Sequence, residues 1–209
     1  MKPYKAILYD LDGTILNTLQ MNMIPLLQII KEETGEAWTF DEVLKFVPYP
    51  GMKVMEELQV KDIEKTYTRW VQYVNEYEEG ATLYDGFEQV FSAFQPHFLQ
   101  AVVSAKTKEQ YQIDVVSKGI DRYMQTAVLA DDTKKHKPDP EPLLECVKRL
   151  GITVTEAIYI GDALSDYQAA LNANMDFGYA TWGSVSNNGI IIPTFEFSKP
   201  MDLLQLLNM

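Results

Sequence analysis

Short apolar runs alternate with amphipathic helical spacing over most of the chain. The runs have the length and composition of buried strands, and they lie at Ala6–Tyr9, Phe98–Val103, Thr126–Ala130, Ala157–Ile160 and Phe177–Thr181. The spacing between them predicts helices over 87–94, 107–118, 139–150 and 164–174. A last strand over Thr194–Phe197 is expected before a closing helix, Met201–Leu207. This alternation predicts an α/β fold with a doubly wound, Rossmann-like parallel sheet.

Residues 17–82 have a different pattern, with helical spacing and no convincing strand. Helices are predicted over 19–34, 41–47, 52–59 and 62–79, with Pro25 kinking or shortening the first and Gly80 ending the last. The chain is therefore expected to form a core of residues 1–16 and 83–209, interrupted by a small helical cap domain, residues 17–82. The cap would cover the C-terminal strand ends, where open α/β sheets bind ligands.

Charge and composition narrow the classes of partner. The net charge of -12 argues against binding to nucleic acid or to an anionic membrane. A small anionic substrate would need a metal ion or well-placed lysines to overcome this charge. Only one cysteine, Cys146, and two histidines are present, which excludes an intrachain disulfide and argues against a zinc site.

The first apolar stretch is too short for a secretory signal, and no run approaches transmembrane length. We therefore expect a cytoplasmic protein, either a monomer or a homodimer.

Polar residues follow the predicted strands at what should be one edge of the sheet. They are Asp10, Asp12, Ser104, Lys137, Asp162 and Asp166. Each alone has a structural explanation, since an aspartate after a strand usually caps a helix or forms a turn. Together, several carboxylates at one edge would repel one another unless a cation lay among them. Mg²⁺ prefers such oxygen ligands.

The segments that contain these residues also resemble four known motifs. They are Asp10-Leu11-Asp12-Gly13-Thr14, Val102-Val103-Ser104, Lys137-Pro138-Asp139-Pro140 and Gly161-Asp162-Ala163-Leu164-Ser165-Asp166. Their order and spacing resemble those of the haloacid dehalogenase-like (HAD) hydrolase superfamily, in its phosphatase branch. The resemblance covers essentially the whole chain. The helical insert is similar to the C1-type cap of phosphoglycolate phosphatase-like and pyrophosphatase-like members.

The resemblance implies a role for each of these residues. Asp10 would attack phosphorus and form an aspartyl-phosphate, and Asp12 would protonate the leaving oxygen and then activate water. Ser104 and Lys137 would complete the catalytic set. The phosphoryl group would be bound by Gly13, Thr14, Ser104, Ala105 and Lys137. Mg²⁺ would be held by Asp10, Asp162 and the carbonyl of Asp12, with Asp166 either a further ligand or a support for the ligands.

The implied activity is hydrolysis of a small phosphorylated metabolite, such as phosphoglycolate, a sugar phosphate, a nucleotide or pyrophosphate. A sugar phosphomutase would use Asp10 and Asp12 in the same roles, and a non-enzymatic binding module would not require the Asp12 acid. Asp12 also argues against a phosphonate-cleaving enzyme with Lys53 as a Schiff base. The loop 48–53 is equally consistent with substrate selection and with a plain helix–helix turn.

Overall fold

A computed structural model of the chain describes residues 4–47, 49–185 and 189–209. Pro48, in the loop proposed to select substrate, lies outside the described residues. The chain divides into two compact units, one of Met1–Leu16 with Leu83–Met209 and the other Asn17–Thr82. None of the helices in the described parts of the chain is both long enough and apolar enough to cross a membrane.

Parallel strands form the centre of the larger unit. The strands of the chain are β1 (Ala6–Tyr9), β2 (Leu16–Asn17), β3 (Thr82–Leu83), β4 (Leu99–Val103), β5 (Thr126–Val128), β6 (Ala157–Gly161), β7 (Asp176–Ala180) and β8 (Phe195–Phe197). Within the described residues one sheet has the order β5-β4-β1-β6-β7-β8, and each neighbouring pair is parallel. β2 pairs separately with β3. The predicted α/β fold with a doubly wound parallel sheet is confirmed.

The smaller unit is helical. Its helices are α1 (Leu19–Thr34), α2 (Phe40–Val43), α3 (Gly51–Glu57) and α4 (Ile63–Asn75), and a 3₁₀ turn follows α2. Pro25 does not shorten α1, because a proline removes only one hydrogen-bond donor and the neighbouring Met23 and Leu26 are held by burial. The prediction that α4 extends to residue 79 was wrong. The N–H of Tyr77 bonds instead to the carbonyl of Val74, a tighter spacing that closes the helix.

Helices also flank the sheet of the larger unit, namely α5 (Phe87–Phe94), α6 (Lys108–Tyr111), α7 (Glu141–Leu150) and α8 (Leu164–Ala173). The predicted helix over 107–118 is α-helical only as far as Tyr111 and continues as a π-helical turn, Gln112–Val116. The predicted closing helix is a 3₁₀ helix, Pro200–Asn208. β5 ends earlier than predicted because a 3₁₀ turn begins at Ala130, and Asp132, at the end of that turn, accepts the N–H of Leu129.

The topology brings polar residues to one edge of the sheet. After β1, the chain adds β4 and β5 on one side of β1 and then adds β6, β7 and β8 on its other side. β1 therefore lies at the switch point of the sheet, which is where doubly wound sheets bind ligands. The ladder continues past the strand ends, since Asp10 N–H bonds to the Ile160 carbonyl at 2.9 Å and Ser104 N–H to the Val128 carbonyl at 3.0 Å. Both residues therefore have fixed backbones.

Candidate active site

The turn Asp10–Thr14 leaves β1 in a tightly bonded conformation. The carbonyl of Leu11 accepts the N–H of Leu16 at 2.8 Å, and the carbonyl of Leu16 accepts the N–H of Gly13 at 2.8 Å. Gly13 has a φ of 82°, in the left-handed region that favours glycine. A Cβ atom at Gly13 would also collide with the carboxylate of Asp162. Glycine is therefore required where this turn passes the end of β6.

Three carboxylates gather beside this turn. One oxygen each from Asp10, Asp162 and Asp166 lie within 4.8 Å of one another. The hydroxyl of Thr14 donates to Asp162 Oδ1 at 2.9 Å. Gly161, at the end of β6, makes room for Asp166, since a Cβ atom there would lie 2.6 Å from the Asp166 Cβ. The structure thus places these predicted ligands together.

A buried lysine lies among these carboxylates. Lys137 Nζ donates to Asp10 Oδ1 at 2.6 Å, to Asp166 Oδ1 at 2.7 Å and to the Tyr159 hydroxyl at 3.0 Å. The side chains of Lys137, Asp10 and Asp166 are 10%, 9% and 0% exposed. The other oxygen of Asp166 accepts the N–H of Ala163 at 3.0 Å. We call Asp10, Lys137, Tyr159 and Asp166 the Lys137 cluster.

Crowding and burial perturb the ionisation of this site. Burial raises the pKa of Asp10 to about 7, with Lys137 acting in the opposite direction and Asp166 and Asp12 adding to the rise. Burial, followed by the charges of Asp166 and Asp10, also raises the pKa of Asp162 well above its usual range. Burial alone would lower the pKa of Lys137, but Asp10 and Asp166 hold it well above its ordinary value. The site therefore has more negative charge than one lysine balances.

A second buried lysine contacts the other aspartate of the turn. Lys106 Nζ lies 3.0 Å from Asp12 Oδ1 and 2.7 Å from Asp114 Oδ2. Lys106 and Asp114 are 8% and 3% exposed. Burial would lower the pKa of Lys106, but Asp12 and Asp114 raise it above its ordinary value. We call Asp12, Lys106 and Asp114 the Lys106 cluster.

The remaining predicted residues lie in two places. Ser104 is buried at the end of β4, and its hydroxyl oxygen accepts the N–H of Lys106 at 3.3 Å. The neighbouring Ala105 is exposed. Their phosphate-binding role stays a prediction. Lys53 belongs to the helical unit, where it forms ion pairs with Glu56 at 3.3 Å and Glu57 at 3.0 Å on α3.

The segment after β7 supports the Asp10–Thr14 turn. The indole N–H of Trp182 donates to the carbonyl of Thr14 at 2.9 Å. Gly183 passes so close that a Cβ atom there would collide with the carbonyl of Gly13. The ring of Phe87 packs edge-on against Trp182 with 5.9 Å between centroids. The conformation of the turn therefore depends on a segment far along the chain.

Four of these residues were not among the predicted site residues. They are Lys106, Asp114, Tyr159 and Trp182. Lys106 follows Ser104 by two residues at the same sheet edge, which was a usable signal. Asp114 interrupts an apolar run between Ile113 and Val115, where a buried charge needs a partner. Tyr159 belongs to the buried strand β6, and nothing in the sequence indicates that its hydroxyl would contact Lys137.

The chain is similar to known proteins along most of its length. The family model described as "Haloacid dehalogenase-like hydrolase" matches residues 7–180. The pyrophosphatase PpaX of Bacillus velezensis is 26% identical, over 98% of this chain and 97% of that protein. The phosphoglycolate phosphatase of Aquifex aeolicus is 29% identical, over 98% of this chain and 97% of that protein.

A solved structure has the same architecture. The crystal structure of a putative phosphoglycolate phosphatase from Lactobacillus plantarum superimposes with a TM-score of 0.88. It is 27% identical in sequence, and the match covers 97% of this chain and 99% of that chain. The match covers the strands and helices of both units along nearly their whole length.

Proposed function

The chain belongs to the haloacid dehalogenase-like hydrolase family, and on that basis we propose that it is a magnesium-dependent phosphatase with Asp10 as nucleophile. Its substrate is a small phosphorylated metabolite, either a phosphate monoester or a phosphoanhydride. The observation that carries the proposal is the 2.6 Å contact of Lys137 Nζ with Asp10, inside a group of three carboxylates. Relatives named for pyrophosphate and for phosphoglycolate support this class of substrate.

In the first step an Asp10 oxygen forms a bond to phosphorus as the bond from phosphorus to the leaving oxygen breaks. Asp12 gives its proton to that leaving oxygen. Lys137, which donates to Asp10 Oδ1, fixes the rotation of the carboxylate and balances charge on the phosphoryl group. The Ser104 oxygen accepts a backbone N–H, which leaves its hydroxyl proton free to be donated to a phosphoryl oxygen.

In the second step the aspartyl-phosphate is hydrolysed. Asp12, now ionised, takes a proton from water as the water oxygen attacks phosphorus. The bond between Asp10 and phosphorus breaks, which releases inorganic phosphate and restores the Asp10 carboxylate. Asp12 suits both steps because its side chain is 37% exposed, whereas that of Asp10 is 9% exposed.

The donor set fits a magnesium ion. Asp10 and Asp162 offer carboxylate oxygens within reach of one another, and burial raises the pKa of both, with the charges of neighbouring aspartates adding to the rise. We assign them, with the carbonyl of Asp12, as ligands. Both oxygens of Asp166 already accept protein donors, so its part is to hold Lys137 beside Asp10. When bound, magnesium neutralises charge on the carboxylates and on the transferred phosphoryl group.

We further propose that the helical unit, residues 17–82, acts as the cap domain and selects the substrate. Support comes from its place in the sequence, since it is inserted three residues after Thr14 and before the second strand of the main sheet. The loop after Phe46 is the candidate for substrate selection. Exchanging residues 49–53 for those of a relative should change KM among phosphate esters more than kcat, and an unchanged order of preference would contradict this role.

The test of the activity is phosphate release. Purified protein is incubated with p-nitrophenyl phosphate and with a panel of sugar phosphates, nucleotides, phosphoglycolate and pyrophosphate, with and without Mg²⁺. We expect magnesium-dependent release that Asp10→Asn abolishes. Asp41→Asn, an exposed aspartate of α2, is the matched control and should retain activity.

Release that survives in Asp10→Asn would show that Asp10 is not the nucleophile. A parent protein inactive across the panel would favour a binding module. Isomerisation of a sugar phosphate with little phosphate released would identify a mutase instead.

A further inference from the structure

Lys106 is a buried lysine that has no role in the two steps proposed above. It follows Ser104 by two residues and turns back into the protein, where its side chain is 9% exposed. Its N–H bonds to the Ser104 hydroxyl oxygen at 3.3 Å, and its carbonyl accepts the N–H of Ala130 at 3.0 Å. The backbone of Lys106 is thus held on both sides, so its side chain starts from a fixed position.

Asp114 fixes the other end of the side chain. Its Oδ2 lies 2.7 Å from Lys106 Nζ, and its side chain is 5% exposed. A buried ammonium group is stable only with such a partner, because burial without one removes its hydration. The pair Lys106–Asp114 is therefore a rigid unit, with one charge balancing the other.

An irregular turn carries Asp114. Residues Gln112–Val116 are π-helical, and the N–H of Ser117 bonds to the carbonyl of Gln112 at 3.0 Å, five residues back. Such a turn inserts one residue into a helix and is frequent at functional sites. Here it coincides with the residue that anchors Lys106. A regular helix over 107–118 would place the residues after Tyr111 on different faces.

Besides Asp114, Lys106 contacts Asp12, whose side chain is more exposed. Lys106 Nζ lies 3.0 Å from Asp12 Oδ1, while the side chain of Asp12 is 37% exposed. The buried Oδ1 atom of Asp12 has this ion pair and no hydrogen bond within the described residues, so attraction between the two charges is what restricts rotation of the carboxyl group. A general acid must lie within hydrogen-bond reach of the leaving oxygen, so this restriction bears directly on proton transfer.

We propose that Lys106, anchored by Asp114, is a positioning residue that holds the Asp12 carboxyl group for proton transfer with the leaving group and with water. This inference rests on the proposed function, in which Asp12 is the acid and base. It assigns Lys106 no direct contact with the substrate. Two rival roles follow from the same contacts, namely stabilisation of the fold alone and direct binding of the substrate by Lys106.

The first experiment compares two leaving groups in Lys106→Met. The value of kcat/KM reports the steps up to departure of the leaving group, and nitrophenolate departs without a proton whereas an alkoxide needs one. We expect kcat/KM to fall roughly 10- to 100-fold for the best alkyl phosphate of the panel and less than about threefold for p-nitrophenyl phosphate. The ratio is measured within one preparation, so partial misfolding cancels.

The second experiment is a double-mutant cycle with Asp12→Asn. If Lys106 acts through Asp12, Lys106→Met should lower kcat/KM for the alkyl phosphate by less than about twofold once Asp12 is Asn. Asp114→Asn, which keeps the shape of the anchor, should show the same preference for the aryl ester to a smaller extent. Lys108→Met, which removes an exposed lysine paired with Asp132 at 3.2 Å, is the matched control and should leave the ratio unchanged.

Equal losses for both esters in Lys106→Met would overturn the inference in favour of a role in the fold. An undiminished loss in the Asp12→Asn background would overturn it in favour of direct substrate binding. These outcomes are distinct from failure of the proposed function, which would appear as an inactive parent or an active Asp10→Asn variant.

Discussion

The Lys137 cluster and the Lys106 cluster are built in the same way around two aspartates of one turn, Asp10 and Asp12. In each, an aspartate of the turn contacts a buried lysine, and a second buried aspartate anchors that lysine. They differ in exposure, since the side chain of Asp10 is 9% exposed and that of Asp12 is 37% exposed. The proposed nucleophile, Asp10, is enclosed, whereas Asp12, the proposed acid and base, is held from one side only. A group that exchanges protons with water and a leaving oxygen needs that open side.

The largest effect should come from removing the lysine of the enclosed cluster. Lys137→Met leaves Asp10 and Asp166 buried without their cation, so we expect kcat to fall by about 10³-fold or more and the free energy of unfolding to fall by about 3 kcal/mol. Phosphate release and urea unfolding measure these changes. Lys135→Met, at an exposed lysine paired with Asp139 at 3.1 Å, is the control. Equal behaviour of the two variants would show that burial of Lys137 has no consequence.

A substitution beneath the turn should disturb both clusters together. Gly183→Ala would bring a Cβ atom against the carbonyl of Gly13 and displace the turn that carries Asp10 and Asp12. We expect kcat to fall by about 100-fold for alkyl and aryl phosphates alike. Trp182→Phe removes the hydrogen bond to Thr14 and part of the ring packed against Phe87 but introduces no clash with the turn, so it should have a smaller effect in steady-state assays. Full activity of Gly183→Ala would show that the turn moves without loss.

The effect of Mg²⁺ on the melting temperature should distinguish the two clusters, and this test needs no measurement of activity. If Asp10 and Asp162 are ligands, saturating Mg²⁺ should raise the melting temperature, with about 2.7 kcal/mol of stabilisation at 100 times Kd. Asp162→Asn should lose this rise, and Asp114→Asn, in the Lys106 cluster, should keep it. Removal of the ion with a chelator should reverse the rise in the parent. A loss of the rise in Asp114→Asn would mean that the two clusters are not separate.

The smallest effect on stability should come from replacing Glu156, whose partner Lys5 is exposed. Lys5 lies 2.6 Å from Glu156, and this contact, with the N–H and hydroxyl of Thr153, lowers the pKa of Glu156 from 4.5 to about 2. A carboxyl group with a lowered pKa contributes stability above its ordinary pKa and loses it as the pH falls towards 2. Glu156→Gln should therefore lower the melting temperature slightly at pH 7 and by much less at pH 2. A difference that is as large at pH 2 as at pH 7 would point to a cause other than charge.

Much of the fold follows from local pattern. A strand buried on both faces needs an apolar run, and β1 and β6 are buried throughout, so their places could be predicted. Aspartates directly after such strands are conspicuous for the same reason, which is how Asp10 and Asp162 could be found. The ends of helices were less predictable, because the tight closing bond of α4 at Tyr77 and the 3₁₀ geometry after Lys199 depend on neighbouring packing.

The Lys106 cluster could not be predicted in the same way. Helical periodicity over 107–118 gives no sign that the helix changes at Gln112, and the position of Asp114 depends on that change. The contact also joins residues from two separate segments after β1 and β4, whose register is fixed only in the folded sheet. A lysine near a strand end can be recognised in the sequence, but its partners depend on the tertiary structure.

The hydrogen bond between Trp182 and Thr14 joins positions 168 residues apart. During translation, Asp10 and Asp12 are made well before the segment that supports their turn. The turn can gain the Trp182 hydrogen bond and the close approach of Gly183 only after residue 183 has left the ribosome. Order of synthesis and order of assembly therefore differ at this site, because the support of the turn depends on residues that are made well after it.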